Sequence, residues 1–131
     1  MEIQNTPLND VFLVKPRVFE DSRGYFFETY NSSKHAPTPL GRYNWVQDNE
    51  SKSTRGVLRG MHFQIGDYSQ AKLIRVIHGE VYDVALDLRQ SSSTFKQWFG
   101  VKLNADNKLQ MLIPRGFAHG FFFFRICHHN L

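Results

Sequence analysis

Cysteine is nearly absent from this sequence. Its 131 residues hold one, Cys127, which excludes an internal disulfide. With no CxxC pair and no His/Cys cluster, the common structural zinc sites are excluded as well, and a reducing, cytoplasmic setting is the simplest expectation. Long apolar runs are missing too. No stretch approaches the roughly 20 residues a membrane-spanning helix needs, and residues 1–10 are polar without an apolar leader core, so neither membrane insertion nor export is expected. Basic runs are also lacking: 16 Lys and Arg stand against 12 Asp and Glu, for a formal charge of +4 scattered in single residues. Without a basic face or a reading motif, nucleic-acid binding is not expected; a basic pocket for a phosphate-bearing small molecule fits better.

Aromatic residues are plentiful, at 15% with twelve Phe, and hydrophobic residues make up 41%. That composition describes one folded domain over residues 1–131 with enough apolar mass for a single core, and it favours strands. Short segments rich in Val, Ile, Phe and Tyr alternate with turn residues, predicting an all-β sandwich or barrel of about nine antiparallel strands. The predicted strands cover 11–19, 24–30, 43–48, 57–64, 70–77, 80–88, 96–103, 108–113 and 119 onward. Pro16 places the first at an edge or a bulge. One helical turn is predicted over 31–36, capped by Asn31 or Ser32 and ended by Pro37 and Pro39. His78-Gly79 and residues 104–107 are expected to close hairpins.

Three strands carry residues suited to chemistry. In Gly56-Val57-Leu58-Arg59-Gly60-Met61-His62-Phe63-Gln64, strict alternation separates Arg59 from His62. Gly60, having no side chain to pack, marks either a bulge or a place where a ligand comes close, and a bulge would turn both toward one cavity. A buried, hydrogen-bonded His62 beside a surface Arg59 is the plain structural reading. Downstream, Lys72 shares a face with Ile74 and Val76, which sets an ammonium in line with core residues unless it snorkels at the strand mouth. Beside His62 it is suited to stabilising an oxyanion. On the strand after that, Asp83 and Asp87 share a face with Val81 and Ala85, so one of them is expected inside, where a carboxylate would orient a histidine. A solvated strand face is the plain alternative.

The motif Pro114-Arg115-Gly116-Phe117-Ala118-His119 resembles the second signature of cupin barrels, and Gly56 with His62 resembles the first. A metal-holding cupin would want His at position 64, which is Gln, so no metal is expected. Taken with Phe19-x-Asp21-x-Arg23-Gly24-x-Phe26-x-Glu28, Val46-Gln47-Asp48-Asn49 and Gln70-Ala71-Lys72, these motifs closely resemble the dTDP-4-dehydrorhamnose 3,5-epimerases over about residues 11–121. The resemblance implies a cupin-type jelly roll and a cofactor-free isomerase that inverts C3 and C5 of dTDP-4-dehydro-6-deoxy-glucose on the way to dTDP-rhamnose. It implies that His62 is the general base and that Lys72 lies near the C4 oxygen. Arg23, Phe26, Glu28, Gln47, Asn49, Arg59 and His119 would bind the substrate, while Asp83 as a possible orienting carboxylate rests on the strand pattern alone. It also implies a homodimer in which N-terminal strands cross to the partner, so that Arg23 and Glu28 act in trans.

Residues 122–131 do not follow the family pattern. The alternation is lost at Phe121 to Phe124, and the family's proton-donating tyrosine and base-orienting carboxylate are not mapped onto this sequence. The expectation is therefore a jelly roll incomplete at its C-terminal end, impaired in activity, with Phe121 to Phe124 exposed beside an unpaired edge. Other readings are a non-catalytic sugar-nucleotide-binding remnant, distinguished by binding without turnover; a metal-dependent cupin, distinguished by metal analysis; and a sugar-nucleotide keto-isomerase, distinguished by a moved keto group.

Overall fold

The computed structural model describes residues 1–66 and 69–125, the last two of these by backbone alone. Ten strands are present among them: β1 (Glu2–Asn5), β2 (Phe12–Lys15), β3 (Phe19–Asp21), β4 (Gly24–Phe26), β5 (Leu58–His62), β6 (Lys72–Arg75), β7 (Glu80–Asp87), β8 (Trp98–Asn104), β9 (Gln110–Ile113) and β10 (Phe117–Arg125). They form two four-stranded sheets, β1-β2-β9-β6 and β5-β10-β7-β8, and a separate β3-β4 hairpin, all antiparallel. The nearly all-β jelly roll expected from the sequence is what the chain builds.

The two sheets face each other across the main core. Leu13, Met111 and Ile113 from the first meet Val81, Ala85, Phe117 and Phe123 from the second, all buried. Fully burying a side chain of this kind contributes roughly 1.5–3 kcal/mol, so this layer holds the sheets together. The outer face of the first sheet is covered by a second cluster. Val14, Leu40 and Leu112 pack there with Tyr43, Trp45 and Leu73.

Several sequence expectations are corrected. The polar segment 1–10, where no strand was expected, supplies β1, which pairs with β2 and makes β2 an interior strand; Pro16 follows its last residue instead of marking an edge. Residues 43–48 form no strand. Tyr43 and Trp45 alternate because both rings pack on the outer face of the first sheet, and the Trp45 indole N–H donates to the Leu40 carbonyl at 3.0 Å. The expected helix is present at Ser32–His35 with Asn31 as its cap. A second, 3-10 turn at Pro39–Arg42 was not expected; it is capped by Thr38, and Pro39 starts it because a first-turn N–H needs no partner.

Neither predicted hairpin at 78–79 or 104–107 exists. Both links carry the chain from one sheet to the other, β6 to β7 and β8 to β9, and they touch where Ala105 N–H donates to the Gly79 carbonyl at 3.2 Å. The final strand is also different from its expectation. β10 is flanked by β5 and β7, Phe123 is buried in the core, Phe121 packs against that core and Phe122 is exposed. Alternation thus persists through Phe123, concealed in the sequence because the outward residue is also Phe. Residues 126–131 of the tail lie outside the described residues.

Candidate functional site

The site grows from an irregularity between β5 and β10. His62 pairs with His119, whereas Arg59 pairs with Phe121, so three steps along β5 match two along β10. The extra residue is a bulge in β5 at Gly60, where the sequence placed it. Residues opposite one another on antiparallel strands share a face. Arg59 and His62, which strict alternation would separate, therefore stand together on the inward face occupied by His119 and Phe121.

Glycine is required on both strands of this contact. Gly60 has φ of +126°, and a Cβ there would lie 2.5 Å from the Gly120 Cα. A Cβ on Gly120 would lie 2.8 Å from Met61 Sδ and 2.9 Å from the Arg59 carbonyl oxygen. Gly60 was legible as a special position. Gly120, its counterpart, was not, because in the sequence it merely follows a histidine.

From His119 the row continues inward to β7. His119 faces Ala85 and its Nε2 lies 2.7 Å from Asp83 Oδ1. Asp83 is sealed from solvent, and its other oxygen, Oδ2, has no hydrogen-bond partner among the described residues. Burial pushes the Asp83 carboxyl above the usual range, while the His119 hydrogen bond and the nearby charges of His119 and Lys72 pull the other way. The carboxylate expected to orient a histidine is thus inside the barrel, and the histidine it holds is His119, not His62. Lys72 reaches this interior from the opposite sheet, partly buried, paired in register with the core residue Ile113.

His62 itself is exposed on an edge strand, which corrects the plain reading of a buried, hydrogen-bonded residue. Among the described residues no three His, Cys, Asp or Glu side chains come together as a metal cluster. What the row offers is an imidazole at the rim, an arginine beside it, a second imidazole braced by a carboxylate, and an ammonium from the facing sheet. Such a set can take a proton from carbon, hold the enolate oxygen that results, and attract an anionic ligand.

The other expected ligand-binding residues stand elsewhere. Arg23 is exposed and paired with Asp21 in the turn between β3 and β4, at 2.6 Å. Phe26 is exposed at the end of that hairpin, and Glu28 just beyond it holds Lys34 and Asn31. Gln47 and Asn49 lie exposed in the loop before β5, with the Gln47 amide donating to Asn49 Oδ1 at 3.1 Å. None of these polar contacts joins the row of His62, His119 and Asp83.

Two facing antiparallel sheets joined by sheet-switching corners, with a histidine row on the inner face of one, define a cupin-type jelly roll. Comparison with known proteins makes this more specific. The family model described as dTDP-4-dehydrorhamnose 3,5-epimerase matches residues 5–126, and the chain belongs to that family. The match runs further at both ends than the sequence motifs do. The curated dTDP-4-dehydrorhamnose 3,5-epimerase of Pseudomonas aeruginosa is 53% identical over 121 residues, covering 92% of this chain and 66% of that protein. The corresponding enzyme of Shigella flexneri is 50% identical over 92% of this chain and 67% of its own length. A crystal structure of the Legionella pneumophila dTDP-6-deoxy-D-glucose-3,5-epimerase in complex with dTDP-4-keto-L-rhamnose superposes with a TM-score of 0.88 at 44% identity, covering 95% of this chain and 65% of that one. The Bacillus anthracis enzyme with TDP and PPi bound gives 0.87 at 41% identity, covering 99% and 79%. The chain thus spans about two thirds of the length of the curated relatives it matches.

Proposed function

We propose that this chain acts on dTDP-4-dehydro-6-deoxy-glucose as a cofactor-free isomerase: the protons at C3 and C5 are removed to give an enolate, and each centre inverts when its carbon takes a proton back from solvent on the opposite face. The observation that carries the reading is the bulge at Gly60, which sets His62 and Arg59 on one face beside His119. A C4 ketone acidifies the hydrogens on both neighbouring carbons. His62, exposed at the rim, takes the proton, and the ammonium of Lys72 faces the oxygen on which negative charge develops. Arg59 and His119 hold the ligand's anionic part, an assignment supported by the dTDP-sugar and the TDP with PPi in the two related structures.

Arg23, Phe26, Glu28, Gln47 and Asn49 complete the binding surface in this proposal. Among the described residues the β3-β4 hairpin forms a sheet of its own, paired with a strand of neither main sheet, which suits an arm reaching the partner's site in a homodimer. The same assembly would cover the exposed row Leu58, Phe122 and Tyr82 on the outer face of the second sheet. The whole of residues 1–131 acts as one domain in this reading, and a cytoplasmic location accords with a sugar-nucleotide substrate.

Product analysis tests the reaction class. Incubation with dTDP-4-dehydro-6-deoxy-glucose, followed by proton coupling constants of the recovered sugar, is expected to show inverted neighbours of an unmoved ketone. A ketone shifted along the ring, or a protein that neither binds nor alters the nucleotide sugar, would contradict the assignment.

A further inference from the structure

Asp83 is the most deeply buried charged group in the row, at 0% exposure, and it is bonded to a residue other than the proposed base. An ionised carboxylate only accepts hydrogen bonds, so the proton between the two side chains belongs to His119 Nε2. That leaves Nδ1 as the atom His119 turns to its surroundings, and it has no partner among the described residues. From the facing sheet Lys72 acts on the same carboxylate through charge alone, since no ion pair joins them. An ammonium set into an apolar barrel needs an opposite charge nearby. Asp83 supplies it, while its Oδ2 stays free of hydrogen bonds.

We propose that Asp83 is a positioning residue with two dependents: it fixes the ring orientation and tautomer of His119 through Nε2, and it holds the Lys72 ammonium in the barrel interior. Asp83 does not touch the ligand in this arrangement. It acts through one side chain that binds the substrate and one that faces the enolate oxygen, and so the proposal rests on the reading of the site given above. Asp83 is sealed from solvent with one oxygen lacking a hydrogen-bond partner among the described residues, an arrangement that costs the fold something. A group kept at such a cost answers to the site rather than to stability.

Two substitutions separate the dependents. Asp83→Asn keeps an oxygen that accepts from His119 but removes the charge facing Lys72; Asp83→Ala removes both. Asp83→Asn is expected to lose roughly 10- to 100-fold in proton exchange at C3 and C5, as outer partners of site residues commonly do, from a protein that is still fully folded by circular dichroism at the assay temperature. A merely structural residue would move stability and activity together. Nitrogen-15 NMR of the ligand-free protein reads His119 without any turnover: a single tautomer protonated at Nε2 is expected in the parent and Asp83→Asn, and a mixture in Asp83→Ala. A parent His119 already mixed, or an Asp83→Asn protein exchanging at the parent rate, would overturn the proposal. Should the parent itself exchange no protons, the functional reading fails, and the tautomer measurement still decides whether Asp83 positions His119.

Discussion

Two aspartates four residues apart on β7 are both sealed from solvent, in opposite electrostatic situations. Asp83 has one hydrogen bond and a raised carboxyl. Asp87 is opposed by the same burial, yet bonds from Arg89 Nε and Nη2 at 3.0 Å and from the hydroxyls of Ser92 and Thr94 at 2.6 Å outweigh it and hold its carboxyl well below the usual range. A folded-state value below the unfolded one, about 3.9, means that Asp87 stabilises the protein fully above that pH and loses its contribution as pH falls toward the folded value. Asp87→Asn is expected to cost about 2–3 kcal/mol at neutral pH, since charge-assisted bonds to a buried group are lost. Urea unfolding from pH 7 downward checks this: the variant should show a flatter decline in acid, and a decline parallel to the parent would refute it. The sequence put both aspartates on one strand face and expected one of them inside; both are buried, and the difference between them was not legible. It depends on the residues after β7, where Arg89, Ser92 and Thr94 fold back, and on His119 thirty-six positions away.

At the scale of elements, the contact between β5 and β10 decides whether the site exists. A methyl group on Gly120 has nowhere to go, because Met61 Sδ, the Arg59 carbonyl and the Gly60 Cα all lie within 3.2 Å of it. Gly120→Ala is expected to cost roughly 1–3 kcal/mol through overpacking and to separate the strands, disrupting the register that brings His62 opposite His119. Proton exchange should fall more steeply than the stability loss alone explains; unchanged exchange would show that the bulge is not needed. The bulge was readable from Gly60, because a glycine inside a strand has few other uses. The corners at Gly79 and at 104–107 were not, since a tight turn looks alike in sequence whether the next strand stays in its sheet or crosses to the other. The missing strand at 43–48 has a similar cause. Alternating aromatics signal one apolar side, and Tyr43 and Trp45 bury that side against a sheet without joining it.

For the whole molecule, the jelly roll and the inward row follow from patterns spread along the chain, whereas assembly depends on a surface that a single sequence does not separate from a core. Leu58, Phe122 and Tyr82 stand side by side across β5, β10 and β7, at 73%, 40% and 36% exposure. If this face is covered by a second copy, light scattering should give twice the chain mass for the parent and the single-chain mass for Phe122→Asp, with the variant still folded by circular dichroism. A parent already at single-chain mass would contradict the homodimer. The central claim, that His62 removes protons next to the ketone, is tested most directly by proton NMR of dTDP-4-dehydro-6-deoxy-glucose in deuterated buffer, with His62→Ala in parallel. The account predicts loss of the C3 and C5 proton signals with the parent and a rate lower by about 10²–10⁴-fold in the variant; equal rates in the two proteins, or retention of both signals with the parent, would contradict it.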